Sequence, residues 1–286
     1  MNTPAPLPPA PLAWDWFDLA PPPRDLPAGG MAEIPTADQG GAAITWQTRH
    51  DHKTLLARIL RQPGSSRPAL LLLHGMGLTI ATFRGIAPWL LPTHDLVLVD
   101  YSGLACTHCA PQDHGWGGTI DVHHLVTGLF ALLEVLHLPQ ADFAGNSLGG
   151  GMCIVAAQEQ PARVRRLLLS NPACYPQTLP RMYRWLRVPL LGELLMTITR
   201  PEKLIGGVEY IGYVDKSRFY PDLRQRYLRN MQTRTNRFRL MEMIRALPGH
   251  EGDLAAARHV PRLKELQQPT LISFGEKDPL LFPGAG

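Results

Sequence analysis

The sequence predicts an α/β protein with a mostly parallel sheet and helices on both of its faces. Short apolar runs at 69–73 and 95–99 are typical of strands that are covered on both sides. Helical patterns lie between the strands, most clearly over 119–137 and 148–160, where apolar residues recur at helical spacing. Because strands alternate with helices along the chain, right-handed crossovers and parallel pairing are expected.

Weaker patterns complete this prediction. Further strands are expected at 43–49, 54–60, 141–144, 164–170 and 269–274, and a helix at 79–91. Three segments follow from these elements. Residues 1–40, rich in proline, form an extended or disordered arm, residues 41–170 with 263–286 form the α/β core, and residues 171–262 form a helical cap.

Composition excludes several classes of protein. The 286 residues carry a net charge of +4, which is too small to indicate a nucleic-acid partner. The cap segment holds sixteen Lys and Arg against eight Asp and Glu, so the positive charge is concentrated there. With four cysteines, no basic and apolar leader and no long apolar run, we expect a cytoplasmic protein without a membrane span.

A glycine-flanked serine is the clearest functional motif. Gly145-Asn146-Ser147-Leu148-Gly149 follows a short strand and begins a helix that is rich in small residues. Ser147 is therefore predicted on a sharp strand-to-helix turn, where its hydroxyl projects above the sheet as a nucleophile. Gly145 and Gly149 are expected because side chains would clash in so tight a turn.

A second motif follows the strand at 69–73, which runs directly into His74-Gly75-Met76-Gly77. Together with the serine turn, this loop, the following VDYSG and the late PTLISFGEKDPLL, the chain resembles the α/β-hydrolase superfamily over about residues 40–286. The serine turn and the inserted cap are most similar to meta-cleavage-product hydrolases, esterases and iminopeptidase-like enzymes. An α/β-hydrolase fold is therefore expected.

The resemblance implies roles for the other motif residues. The backbone N–H groups of Met76 and Leu148 would form the oxyanion hole, with His74 and Gly75 supporting the loop. Asp278 stands at the position of the acid, with Glu276 as a weaker alternative, and would orient a histidine. A small-molecule ester, C–C or amide substrate is implied, with no cofactor or metal.

The partner histidine is missing from its expected place. A helix and a strand of about 25 residues should separate it from the acid. Only eight residues follow Asp278, and none is histidine. Truncation, a pseudoenzyme and a substitute histidine stay open, and the intact motifs favour truncation. The candidate substitutes are His108, His114, His123, His124, His250 and His259.

Three further features of the sequence bear on the site. Cys106 and Cys109 form a CxxC without a second pair of ligands, which favours an ordinary loop over a metal site. Arginines of the cap would give the pocket an anionic preference if they face it; they are Arg224, Arg226, Arg229, Arg234, Arg237 and Arg239. The apolar run at 190–196 is expected to cover the pocket. The alternative function is a non-catalytic ligand-binding or interaction protein on the same scaffold.

Overall fold

A computed structural model describes residues 31–32, 42–50, 53–61, 65–101, 122–173, 181–246 and 259–278. Its strands, in chain order, are β1 (Met31–Ala32), β2 (Ala42–His50), β3 (Lys53–Arg61), β4 (Ala69–Leu73), β5 (Asp95–Asp100), β6 (Ala141–Asn146), β7 (Val164–Ser170) and β8 (Thr270–Ser273). Its α-helices are α1 (Ala87–Leu90), α2 (Val122–Val135), α3 (Leu148–Glu159), α4 (Arg181–Leu186), α5 (Leu191–Ile198), α6 (Pro201–Gly212), α7 (Pro221–Asn230) and α8 (Arg234–Ala246).

The eight described strands form one sheet in the order β1-β2-β3-β5-β4-β6-β7-β8. The pairings from β1 to β5 are antiparallel, and those among β5, β4, β6, β7 and β8 are parallel. The antiparallel part follows from the short connection between β2 and β3, since only antiparallel strands can be joined so tightly. The predicted α/β class with a mostly parallel sheet is confirmed.

Alternate residues of β4 pack into two apolar cores, one on each face of the sheet. Leu71 and Leu73 pack with α2 and α3, whereas Leu70 and Leu72 pack with α1 and with helices of the 181–246 segment. Cys153 lies in the first core and is fully buried, and burial raises the pKa of its thiol. The predicted helices on both faces are therefore present.

The single helix predicted over 79–91 is wrong. A 3₁₀ turn at Ile80–Phe83, capped by the Thr79 side chain, is followed by a turn and then by α1. Pro88 near the start of α1 has no N–H group and cannot continue a preceding helix, so the chain begins a new one there. Apolar spacing alone did not reveal this break.

The described elements between β7 and β8 are the helices α4 to α8 and two 3₁₀ turns, at Lys216–Arg218 and Pro261–Glu265. Parts of the sequence interpretation lie outside the described residues. These are the arm apart from residues 31–32, the CxxC at 106–109, and His108, His114 and His250, together with the side chain of His124. Among the described helices, none is long and apolar enough to cross a membrane.

Candidate active site

The turn between β6 and α3 holds Ser147 in a backbone conformation that serine rarely adopts. Its φ is 53° and its ψ is −118°. Such a conformation costs about 1–3 kcal/mol and persists only where the surroundings enforce it. Here the Ser147 N–H donates to the Ser170 carbonyl at 3.0 Å, and the Ser147 carbonyl accepts from Gly151 at 3.1 Å and Ala173 at 2.9 Å.

The two flanking glycines permit this turn. A Cβ on Gly145 would lie 2.3 Å from the Gly149 carbonyl oxygen, and a Cβ on Gly149 would lie 2.2 Å from the Leu73 oxygen. Real Cβ atoms do not approach backbone so closely. The sequence therefore needs glycine at both positions for α3 to start directly against β4.

The loop after β4 passes beside the serine. A Cβ on Gly75 would lie 3.4 Å from the Ser147 Cβ and 2.9 Å from the Asn146 Oδ1 atom. Met76 follows, and it lines the same cavity as Ser147. Leu148, the first residue of α3, is 8% exposed. The motifs predicted from residues 74–77 and 145–149 are therefore brought together in space.

Below this loop, His74 is fully buried and connects the loop to β5. Its Nδ1–H group donates to the Gly75 carbonyl at 2.8 Å, and its Nε2 atom lies 3.4 Å from the Asp100 carboxylate. Its ring stacks on Tyr101 with 4.3 Å between centroids, and the Tyr101 hydroxyl donates to the His74 carbonyl. Burial raises the pKa of Tyr101 well above its usual value, which keeps this donor protonated.

On the opposite side, Asn171 holds the turn that carries Asp278. Its Nδ2 group donates to the Asp278 carboxylate, and its Oδ1 atom accepts from the Gly275 N–H at 3.1 Å. The Asp278 N–H closes the turn on the Gly275 carbonyl at 3.0 Å. Asn171 itself has a φ of 44°, a region that asparagine tolerates better than most residues.

Sequence reasoning did not single out Asn171. One signal was available, because the residue directly follows the carboxyl end of a parallel strand. Ligands of open α/β sheets bind outside these carboxyl ends. The role itself depends on the contact between two segments that are about 100 residues apart, which the pattern around residue 171 does not contain.

A cavity of about 650 Å³ lies between the sheet edge and the helices of residues 181–246, which we call the cap segment. This volume falls in the usual range for small-molecule sites. The predicted residues Ser147, Met76, Gly75 and Asp278 line it; His74, Gly145, Leu148 and Gly149 do not. The cap segment contributes Tyr183, Val208, Gly212, Tyr213 and Val214.

The cap wall is mostly apolar with two phenol groups. Burial raises the pKa of Tyr183, and burial followed by the neighbouring Tyr220 raises the pKa of Tyr213. Both phenols are therefore neutral near pH 7 and can donate hydrogen bonds. The sheet wall carries the charged side chains of the described lining, Glu276, Lys277 and Asp278.

The candidate substitute histidines do not reach this cavity within the described residues, since no described lining residue is a histidine. His123 and His259 are described, and neither lines the cavity. Instead, their Nε2 atoms lie 3.4 Å from each other.

The cap arginines also lie elsewhere, because none of the six is among the lining residues. Arg226 and Arg239 are buried, and Arg237 donates to the Met231 carbonyl at 2.6 Å.

The expectation that the apolar run at 190–196 covers the pocket is wrong. Leu190 is 83% exposed and Leu194 is 55% exposed, and none of residues 190–196 is among the described lining residues.

Comparison with known proteins agrees with this architecture. A family model described as "alpha/beta hydrolase fold" matches residues 68–286. The chain is 32% identical over 117 residues to a 2-hydroxymuconate semialdehyde hydrolase of Pseudomonas sp. strain CF600, covering 40% of this chain and 39% of that protein. It is 24% identical over 223 residues to a 2-hydroxy-6-oxononadienedioate/2-hydroxy-6-oxononatrienedioate hydrolase of Paraburkholderia xenovorans, covering 75% and 72%.

Several of these alignments are partial. The chain spans less than half the length of the first curated relatives that it matches, 39% of the Pseudomonas hydrolase and 49% of an uncharacterized Mycobacterium tuberculosis protein. Among solved structures, the enol-lactonase of Burkholderia xenovorans superposes with a TM-score of 0.60 at 16% identity, covering 79% of each chain. A hydrolase of Pseudomonas aeruginosa gives 0.59 at 21% identity, covering 87% of this chain and 81% of that one. At these identities the likeness establishes the fold.

Because the family model matches well over half of the residues of this chain, the chain belongs to the alpha/beta hydrolase fold family.

Proposed function

We propose that this chain carries the site of a serine hydrolase that acts on an ester bond, or on a C–C or amide bond next to a carbonyl. The observation that supports this most directly is the strained turn at Ser147, which opens on a cavity of about 650 Å³ beside the loop of Met76. A serine with positive φ between a strand and a helix is the arrangement that exposes a nucleophilic hydroxyl.

In the proposed reaction, the Ser147 oxygen attacks the substrate carbonyl carbon while its proton passes to a base. The backbone N–H groups of Met76 and Leu148 stabilise the oxyanion, and the N-terminus of α3 adds a positive dipole. Collapse of the tetrahedral intermediate expels the leaving group, which takes up the proton, and leaves an acyl-enzyme. Water then releases the acid product and restores Ser147.

Asp278 is proposed as the acid that orients the base. Asn171 and the Gly275 turn hold its carboxylate on the cavity wall. The base is a histidine that the described lining does not contain. A serine without its base loses most of its activation, since general-base catalysis contributes roughly 10²–10⁴-fold. Ser147 is therefore expected to react slowly unless a base reaches it.

Two observations narrow the substrate class. The relatives are named for cleaving semialdehyde and dioate compounds, which supports a carbonyl substrate with a polar end. On the described cavity wall the cation is Lys277, between the acidic Glu276 and Asp278. We propose that Lys277, rather than the arginines of the cap segment, binds the anionic end of such a substrate.

A fluorophosphonate probe tests the nucleophile, because it forms a covalent bond with an activated serine. We expect slow labelling of the wild-type chain at Ser147 and none in Ser147→Ala, with mass spectrometry to locate the adduct. Ser170→Ala is a matched control, because Ser170 lines the same cavity on the carboxyl end of β7 but lies outside the nucleophile turn.

Added imidazole separates a missing base from an inert serine. If only the base is missing, imidazole in millimolar amounts should accelerate labelling of Ser147 several-fold, a small part of the roughly 10²–10⁴-fold that a positioned base gives. If Ser147 stays unlabelled with and without imidazole while a carbonyl ligand still binds, the alternative of a non-catalytic binding protein is correct. That alternative is favoured by the absence of a histidine from the described lining.

A further inference from the structure

A pair of histidines lies outside the cavity, where three segments of the chain meet. His123 is near the start of α2, and His259 begins the return segment, which we define as residues 259–278. Gln158 and Glu159, the last two residues of α3, contact this pair. His259 and Gln158 are buried, and the His123 side chain is 37% exposed.

The partners of the two Nδ1 atoms fix the tautomer of each ring. His123 Nδ1 bonds the Glu159 carboxylate, and because a carboxylate only accepts, this nitrogen carries the hydrogen. Gln158 donates its Nε2 group to the His259 carbonyl at 3.0 Å, so its Oε1 atom faces His259 Nδ1 at 2.6 Å. His259 Nδ1 therefore also carries the hydrogen.

In the neutral form of both rings, the Nε2 atoms are consequently acceptors. These two atoms lie 3.4 Å apart, and the ring centroids are 5.1 Å apart with the planes inclined at 38°. Because the hydrogens lie on the two Nδ1 atoms, a cation can be held between the two Nε2 atoms at this separation. Zinc–imidazole bonds of about 2.0–2.1 Å at a tetrahedral angle place two nitrogens roughly 3.4 Å apart.

We propose that His123 and His259 bind one divalent transition-metal ion of the zinc class through their Nε2 atoms. Glu159 and Gln158 act on the other face of the rings, where such acceptors orient metal-bound histidines. The described residues contain no group of three or more histidine, cysteine, aspartate or glutamate side chains that could hold a metal. Within the part of the chain that the structure describes, the protein ligands of this site are therefore the two histidines.

Such an ion would connect the sheet domain to the segment that carries Asp278. His123 belongs to α2, which packs in the main core, whereas His259 belongs to the return segment that leads into β8. A metal ion at this position would stabilise the segment that forms one wall of the cavity without contacting the cavity itself. Its binding is independent of whether Ser147 is catalytic, so the two proposals can fail separately.

Zinc titration of the EDTA-treated, dialysed full chain tests the site by calorimetry at pH 7.5. We expect one ion per chain, at least tenfold weaker binding in His123→Gln and in His259→Gln, and unchanged binding in His137→Asn. His137 is an exposed histidine with a φ of 53°, which asparagine tolerates. Wild-type binding no tighter than that of the two variants would overturn the proposal and favour a proton shared by the two rings.

Two measurements keep the test decisive if His259→Gln fails to fold. His123 is partly exposed, so His123→Gln should keep the wild-type circular dichroism spectrum and still lose the site. Zinc should raise the melting temperature of the wild type and not of His123→Gln, because a ligand that binds only the folded state stabilises it. Cu²⁺ should show hyperfine splitting from two imidazole nitrogens, and a spectrum from one nitrogen would contradict the paired site.

The carboxylate that bonds the Nδ1 atom of His123 gives a further test of the metal site. Glu159→Gln should weaken zinc binding about tenfold, since loss of such a partner commonly costs 10–100-fold in metal affinity. Glu134→Gln, on the exposed end of α2, is the matched control and should leave it unchanged. Equal affinity in the two variants would remove Glu159 from the proposed site.

Discussion

The serine turn and the return segment face the same cavity, but they are held in opposite ways. Around Ser147 the backbone itself is fixed, by three hydrogen bonds and by contacts too close for a Cβ on Gly145 or Gly149. The return segment contains β8, whose four residues are all exposed, and the turn after it is held by the side chain of Asn171 and by one backbone hydrogen bond of its own.

This difference separates two ways in which the site can be damaged. A change in the serine turn affects the centre of the sheet, where β4, β6 and α3 are in direct contact, and should lower the stability of the whole domain. A change in the return segment affects an edge strand with few neighbours, and should displace Asp278 while the domain stays folded. Three substitutions test this contrast.

The largest effect is expected from Gly149→Ala. Its new Cβ would lie 2.2 Å from the Leu73 oxygen, so α3 must move away from β4. Overpacking commonly costs 1–3 kcal/mol, and contact with backbone places this case near the upper end, about 3 kcal/mol. Urea denaturation should show a lower midpoint, and labelling of Ser147 should fall with it.

Gly206→Ala is the matched control in the cap. A Cβ at Gly206 meets no atom within 4 Å, and alanine is favoured over glycine in helices by about 0.5–1 kcal/mol, so this variant should gain stability. If Gly149→Ala is as stable as the wild type, the serine turn is not fixed by the close approach of α3 and β4.

The sequence predicted the serine turn better than the return segment. The turn depends on neighbouring residues, whereas the return segment depends on contacts between distant parts of the chain. Local patterns specify β4 and β7, whose bounds match the apolar runs at 69–73 and 164–170, and the glycine motif specifies the turn of Ser147. Contacts between distant segments leave little local trace. Asn171 and the pairing of His123 with His259 were missed because each depends on how segments over 100 residues apart meet.

The lining residues of the cap segment could not be predicted from the sequence either, because helix packing decides which face of each helix meets the cavity. The arginines and the leucines of α5 suggested a charged or apolar lining, whereas Tyr183, Val208 and Tyr213 line it. A helical pattern gives the apolar face of one helix, not the partner that covers it. The fold class could be predicted from the alternation of strands and helices, whereas the residues that this helical segment contributes to the cavity could not.

The second substitution, Asn171→Gly, should act on the return segment. Glycine keeps the positive φ but removes the hydrogen bonds to Asp278 and Gly275. We expect a loss of about 1–2 kcal/mol, since a hydrogen bond to a charged group contributes roughly 1.5–3 kcal/mol and this one is partly exposed. The Gly275 amide should lose its protection against hydrogen exchange while the amides of β6 keep theirs.

Asn171→Asp distinguishes the two hydrogen bonds. Aspartate retains an acceptor for the Gly275 N–H but places a second carboxylate beside Asp278, so it should keep the turn while displacing the acid. In that variant the Gly275 amide should stay protected. Unchanged exchange at Gly275 in Asn171→Gly would show that the turn is held by its own backbone.

The smallest effect on stability is expected from Leu271→Lys on β8. Leu271 is 67% exposed, so its replacement should change the free energy of unfolding by less than about 0.5 kcal/mol. Exposed apolar edge strands pair with other chains, and a lysine there opposes this pairing. Sedimentation velocity at rising concentration should show self-association of the wild type that Leu271→Lys reduces, whereas Leu194→Lys, 55% exposed on α5, should not reduce it. An equal reduction by both lysines would mean that net charge, and not the open edge of β8, controls association, and the return segment would then be no more vulnerable than the rest of the surface.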